Sequence, residues 1–355
     1  MPRLLAGDLQ SLGRRVFEAL QIPHEEAAWV AELLVRASLA GHDSQGVIRI
    51  PQYAQAIQSG LVQPGAAGEI AEESASMALI DGQCGLGQVV ARRAMALAIR
   101  KAQEMRISSV GAYNLYHVGR LADYTRMAAE QDLVGIMMVT GGGASPLVAP
   151  FGGMAGRLGT NPLSIAFPTS SAVPFVLDMA TSMVAEGSVR VKRLRGEQIP
   201  EGWLLDHQGR PTTDPNTLYQ EPRGAMLPLG GSAGHKGFGL AMVVEMLSGI
   251  LMRGGDARQG ANGFMSGTCI IVIDISAFVE PSQFRAEIGA LLSYVKSAPL
   301  ASGVEAIQYP GEPEAMEQQR RERDGIPLED ETWHQIIALA QELGVSLPAS
   351  LGPYS

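Results

Sequence analysis

A histidine in a short loop between an apolar strand and a helix is well placed to exchange protons. His117 occupies such a segment, Asn114-Leu115-Tyr116-His117-Val118-Gly119. Loops held by rigid elements carry a disproportionate share of chemistry. An imidazole titrating near neutrality takes a proton from a hydroxyl or returns it to a carbonyl. A lone histidine is more often structural, so the loop by itself leaves both readings open. Arg49 ends a polar stretch, Gly41-His42-Asp43-Ser44-Gln45-Gly46-Val47-Ile48-Arg49. A planar guanidinium holds a carboxylate through two parallel hydrogen bonds, the clamp a 2-oxo acid needs to fix its carbonyl against a reactant. The competing reading is an ordinary surface ion pair.

Three further segments have the composition of ligand contacts. In Val176-Leu177-Asp178-Met179-Ala180-Thr181-Ser182 an apolar strand ends in an acid followed by small residues. That arrangement presents one carboxylate and backbone groups to a ribose or an amide; equally, Asp178 or Thr181 can cap a helix. Gly230-Gly231-Ser232-Ala233-Gly234-His235-Lys236-Gly237 feeds an apolar run. Amides at a helix N-terminus bind anions, and Lys236 beside Gly237 adds positive charge, so a cofactor phosphate is expected there. The third segment, Gly82-Gln83-Cys84-Gly85-Leu86-Gly87, imitates a dinucleotide fingerprint. It fails at Val90, where a small residue is required, and its acidic residue, Glu104, falls inside a helix. A tight turn before a helix is the better reading. The basic run Arg190, Lys192, Arg193, Arg195 reads as a solvated surface segment.

These residues need elements to hold them. Leu9, Leu12, Val16 and Leu20 recur at helical spacing, a second helix spans residues 25–40, and a third, over 44–59, is interrupted by Pro51. From residue 75 strands and helices alternate: a strand over 76–81, a turn over 82–87, a helix over 89–105, a strand over 107–113, a loop over 114–118, a helix over 119–130 and a strand over 133–140. Strands are expected at 163–167, 175–178 and 268–275. Residues 196–235 read as irregular, 236–252 as a buried helix, 281–297 and 330–343 as helices, and 312–324 as an exposed helix. The alternation indicates an α/β layer. The expected organisation is a helical segment over 1–74, an α/β segment with the histidine over 75–140, a glycine-rich cofactor region over 141–280, and C-terminal helices over 281–355 that pack back on the first part.

Of the 355 residues, 46% are hydrophobic and 18% charged, which is globular composition. The formal charge of −9 repels phosphate backbones and disfavours nucleic acid as a partner. The longest apolar stretch is interrupted by Glu245, so no membrane span is expected. Cys84 and Cys269 stand far apart without metal-site spacing and read as reduced, buried thiols in a cytoplasmic protein. No signal peptide is visible, and no catalytic metal is expected.

Taken in order, Gly-His-Asp-Ser-x-Gly-x-x-Arg-x-Pro-Gln-Tyr from Gly41, Asn114-x-x-His117-x-Gly119, Pro150-Phe151-Gly152-Gly153, Gly159-Thr160-Asn161-Pro162, Leu177 to Ser182 and His235 to Leu240 resemble the malate/L-lactate dehydrogenase family. That family also includes ureidoglycolate dehydrogenases, diketogulonate reductases and cyclic-imine carboxylate reductases. The resemblance spans roughly residues 5–345. It implies an α/β fold with a mixed sheet, a non-Rossmann site for NAD or NADP, and a homodimer with its active site near the subunit interface. The implied reaction interconverts a small 2-oxo acid and its 2-hydroxy acid. His117 matches the acid/base histidine and Arg49 the carboxylate arginine. Ser44 and Gln45 fall in the catalytic segment. Ser145, Asp178, Met179, Ala180 and Lys236 match cofactor contacts, with Gly311 and Glu312 as a further contact. Two positions depart from the family pattern: Gln45 replaces a histidine regarded in some members as the proton donor, and Ser188 replaces a lysine. A glutamine donates a hydrogen bond but delivers no proton. His117 would then act alone with Gln45 orienting the carbonyl, or His42 would share the work from the same helix face, or catalysis would be impaired.

Overall fold

The computed structural model describes residues 2–141, 146–259 and 265–348. A two-residue strand β1 (Arg3–Leu4) precedes helices α1 (Ala6–Ala19), α2 (His24–Leu39) and α3 (Ile50–Gln58). Pro51 sits in the first turn of α3 rather than kinking a longer helix, because a missing N–H costs nothing there. Residues 43–49 form two 3₁₀ turns instead.

The α/β part follows as β2 (Glu69–Glu73), β3 (Met77–Gly85), α4 (Gly87–Met105), β4 (Ile107–Leu115), α5 (Ala122–Ala129), β5 (Leu133–Thr140), β6 (Leu163–Phe167) and β7 (Phe175–Met179). Next come α6 (Glu186–Leu194), the short strands β8 (Leu204–Leu205), β9 (Pro211–Thr212) and β10 (Ala225–Met226), and α7 (Gly234–Val244), which runs on as a π-helical stretch, Glu245–Leu251. The chain closes with β11 (Ser266–Asp274), α8 (Pro281–Lys296), α9 (Glu312–Asp324), β12 (Ile326–Pro327) and α10 (Asp330–Glu342).

The main sheet has seven strands in the order β2-β3-β4-β11-β5-β6-β7. Only β3 and β4 pair in parallel; the other neighbours are antiparallel. This is a mixed α/β sheet and not the doubly wound parallel sheet of a Rossmann domain. Following the pairings, β3, β4, β5 and β7 point one way, and β6 and β11 the other. Helices α4 and α5 cover one face, where Val90, Ala94 and Met95 meet Ile80, Val110, Met137 and Ile270 in one buried cluster. Val244 and the π-helical stretch cover part of the other face through Met138 and Cys269. A separate core joins α1, α2, α3 and α10, with Phe17, Tyr53 and Trp333 buried at its centre.

Four expectations change. Strand β3 continues through the predicted turn at 82–85, because Gly82 and Gly85 lie where a Cβ would strike backbone oxygens of Asn114 and Ala66. The basic run is helix α6, with Val189 fully buried, rather than a wholly solvated segment. Residues 236–252 are not a buried helix. Ala241, Val244 and Ser248 face inward, while Leu240, Val243, Met246, Ile250 and Leu251 are 41–63% exposed. Cys269 is buried as expected, but Cys84, at the open end of β3, is half-buried. No helix among the described residues is long and apolar enough to cross a membrane.

Candidate active site

One end of the main sheet opens into a cavity of about 750 Å³, within the range of small-molecule sites. Its floor comes from the C-terminal ends of β4, β5 and β7 and from the starts of β6 and β11, represented by His117, Val139, Asp178, Pro162 and Ser266. The shared strand direction brings these ends together. The 3₁₀ turns at 43–49 and helix α6 close the sides, contributing Ser44, Gln45, Arg49, Ser188 and Arg190.

His117 lies two residues past the end of β4. The Tyr53 hydroxyl from α3 is 2.6 Å from its Nδ1, and Gln88 Nε2 from α4 donates to that hydroxyl at 2.6 Å. The Tyr53 oxygen has a second lone pair besides the one Gln88 uses, and it accepts from Nδ1–H in the tautomer that leaves Nε2, the nitrogen turned away from Tyr53, unprotonated as a base must be. Burial and then the charges of Arg49 and Arg190 hold the His117 pKa well below its ordinary value. The imidazole is neutral. Burial pushes the Tyr53 phenol upward, so it stays a neutral hydroxyl.

The glycine motif before α4 has a use unlike the one it imitates. A Cβ at Gly87 would lie 2.1 Å from the Tyr116 carbonyl oxygen and 2.4 Å from that of His117. Only a glycine lets the first turn of α4 press against the histidine loop.

Arg49 is 7% exposed. Its Nε donates to the Ser44 carbonyl at 2.7 Å and its Nη1 to Gln52 Oε1 at 2.5 Å. Gln52 Nε2 in turn donates to the Tyr116 hydroxyl at 3.2 Å. Arg49 and His117 are therefore braced from the same two neighbouring positions, Gln52 and Tyr53. Burial, then Arg190, lowers the Arg49 pKa; an arginine remains charged regardless.

Asp178, at the end of β7, accepts a 2.7 Å hydrogen bond from the Ala122 amide. It caps α5 across the sheet rather than a helix of its own segment. Burial raises its pKa, against the lowering effect of the Ala122 amide and of Arg120. Met179 and Ala180 line the cavity beside it. Ser44 is buried and abuts Gly187, whose Cβ would lie 2.4 Å from that of Ser44. Gln45 lines the cavity with its Oε1 buried and unpartnered. His42, just before the 3₁₀ turn that carries Gln45, also lines the cavity, and its Nε2 lies 3.4 Å from Glu314.

Lys236, Gly237, Gly311 and Glu312 are not brought to this cavity. Lys236 is exposed in the first turn of α7, where Gly237 packs on Leu229. Glu312 pairs with Lys296 at 2.5 Å. Ser145 lies outside the described residues.

Besides Gln52, Tyr53, Gln88 and Arg120, two further contributors escape the sequence reading, Arg190 and Glu245. Arg190 lines the cavity although its segment reads as surface. The Glu186 carboxylate in the first turn of α6, with Lys192 and Arg193 in the last, is a helix signature that would have found it. Glu245 is 6% exposed and accepts from Thr140 Oγ1, Asn161 Nδ2 and the Ala257 amide at 2.7–2.9 Å. It ties the end of β5 to the Gly159–Pro162 turn, where Asn161 adopts φ +39°. A carboxylate inside an apolar helical run is the signal that pointed to it.

This sheet end gathers a half-buried histidine and a buried arginine in one cavity, and comparison with known proteins fixes the class. Residues 5–337 match the family model described as malate/L-lactate dehydrogenase. The chain is 40% identical to malate dehydrogenase of Pyrococcus horikoshii over 339 residues, covering 93% of this chain and 92% of that one. It is 36% identical to L-sulfolactate dehydrogenase of Methanocaldococcus jannaschii, covering 94% of each. The solved structure of the Pyrococcus horikoshii malate dehydrogenase superposes with a TM-score of 0.88 at 35% identity, covering 98% of this chain and 97% of that one. The chain belongs to the malate/L-lactate dehydrogenase family and is a dehydrogenase acting on the CH–OH group of a hydroxy acid.

Proposed function

We propose that this chain interconverts a small 2-oxo acid and its 2-hydroxy acid with NAD or NADP as the hydride carrier. The observation that carries the reading is the joint bracing of Arg49 and His117, from Gln52 and Tyr53, in one cavity. Arg49 holds the substrate carboxylate. His117 Nε2 exchanges a proton with the oxygen on carbon 2. Gln45 orients that oxygen, and Ser44 fixes Arg49 through its carbonyl. A positioned acid/base of this kind contributes ~10²–10⁴-fold.

The residues fit a second, larger ligand. The cavity exceeds what a three- or four-carbon acid fills, and Arg120 Nε and Nη1 are buried without partners where Arg120 influences Asp178. Asp178, Met179 and Ala180 would hold the nicotinamide cofactor there. When bound, it supplies or accepts the hydride at carbon 2.

The same reading makes the protein a cytoplasmic homodimer. The exposed apolar face of α7 and the stretch after it supports the pairing, and two free thiols support the compartment.

The test is cofactor oxidation by purified protein, with NADH and NADPH each offered pyruvate, oxaloacetate, phenylpyruvate and pyrroline-2-carboxylate. Turnover of an oxo acid is expected. His117→Ala should lose ~10²–10⁴-fold in kcat while still binding cofactor in calorimetry. Undiminished turnover in that variant removes His117 from the role. Turnover of pyrroline-2-carboxylate alone moves the substrate to cyclic imine acids.

A further inference from the structure

Helix α6 places a second guanidinium in the cavity. Gly187 sits against Ser44, whose carbonyl holds Arg49, and Arg190 follows one turn later on the same face. Its Nε and Nη2 are buried, and neither has a hydrogen-bond partner. The other cations that α6 and its end bring to this cavity have their own carboxylates: Lys192 pairs with Glu197 and Arg195 with Glu329. The nearby Glu186 carboxylate accepts instead from the Tyr219 hydroxyl at 2.9 Å. A half-buried guanidinium with two buried nitrogens left unpaired is costly, and here it lines the space that the acid would fill.

We propose that Arg190 is a second anion site, selecting 2-oxo acids that carry another acidic group, a carboxylate or a sulfonate, on the carbon next to the carbonyl. This rests on the reading above, in which Arg49 takes the first carboxylate and His117 the oxygen on carbon 2. The substituent on carbon 3 then faces Arg190, on the side of the cavity away from the Arg120–Asp178 region assigned to the cofactor. A charge-assisted hydrogen bond to a buried group is worth about 1.5–3 kcal/mol, or roughly 10–150-fold.

The experiment compares oxaloacetate with pyruvate, for the wild type, Arg190→Gln and Arg190→Lys. Each substrate is measured twice, by cofactor oxidation and by calorimetric titration without cofactor. The wild type should favour oxaloacetate in kcat/KM and in affinity. Arg190→Gln should lose roughly 10–150-fold more on oxaloacetate than on pyruvate, and Arg190→Lys should recover part of that difference. Retained pyruvate turnover reports that the variant is folded. Equal binding of both acids by the wild type, or an equal loss on both in Arg190→Gln, overturns the proposal. If no acid is turned over but oxaloacetate still binds more tightly than pyruvate through Arg190, the assigned reaction fails while the anion site stands.

Discussion

The Tyr53 hydroxyl is held 2.6 Å from His117 Nδ1 by a buried residue, Gln88, that donates to the same oxygen. A helix of the N-terminal segment therefore orients a histidine carried by the sheet. The two parts share more than a surface, since Tyr116 and Leu86 lie in the same core as Phe17 and Trp333.

Tyr53→Phe removes that link while keeping the ring. It should lower kcat by about fivefold, in line with ~1 kcal/mol for a buried hydrogen bond, and leave KM for the acid nearly unchanged because Arg49 is untouched. The kcat and KM pair measures this. A rise in KM alone would assign Tyr53 to substrate binding.

The pH profile has a defined sign. Burial, with Arg49 and Arg190, depresses the His117 pKa below 6.5, so the neutral base needed for oxidation persists into acid. The kcat/KM for hydroxy-acid oxidation should hold through pH 6.5 and fall only at lower pH. Reduction, which needs the imidazolium, should rise over that same fall. Arg190→Gln removes one repelling charge and should move the acid limb upward. The unfolded chain takes up this proton first, so the stability contributed by the group is present above 6.5 and is lost as pH falls toward the folded value. A wild-type limb at or above 6.5 would contradict the assignment.

Gly87→Ala should destabilise the protein by about 1–3 kcal/mol, the usual cost of overpacking, because the new methyl meets two carbonyl oxygens. Thermal unfolding reads the stability. Activity should fall further than the fraction unfolded accounts for, since the displaced backbone is that of His117. Activity that tracks the folded fraction alone would detach Gly87 from the site.

Much of this was legible in the sequence where periodicity was strong. Helices α1, α2 and α4 and strands β5 and β11 follow their apolar patterns closely, and His117 was recognisable as a loop residue between a strand and a helix. Other features were hidden by competing physics. Strand β2 reads as a charged coil because all five of its residues face solvent. Arg190 is hidden within a run of charges whose other members, Lys192, Arg193 and Arg195, have more exposed side chains or surface carboxylate partners. The exposure of Leu240 and Ile250 was invisible because an apolar helix looks the same whether its own chain or a second one covers it. The expected cofactor contact at Glu312 came from the family pattern alone and that at Lys236 also from its glycine-rich helix start, and neither residue lines the cavity.

The outer strand β2 carries Glu69, Glu72 and Glu73 at one open edge of the sheet. A stray extended peptide adding there would have to strip water from these carboxylates and disturb the pairs that Glu72 makes with Arg253 and Glu73 with Lys101. At the opposite edge, the Val176 amide already donates to the Pro310 carbonyl. One border is guarded by charge and the other is occupied in part by the chain itself, so the sheet stops at seven strands and resists growing into a fibre.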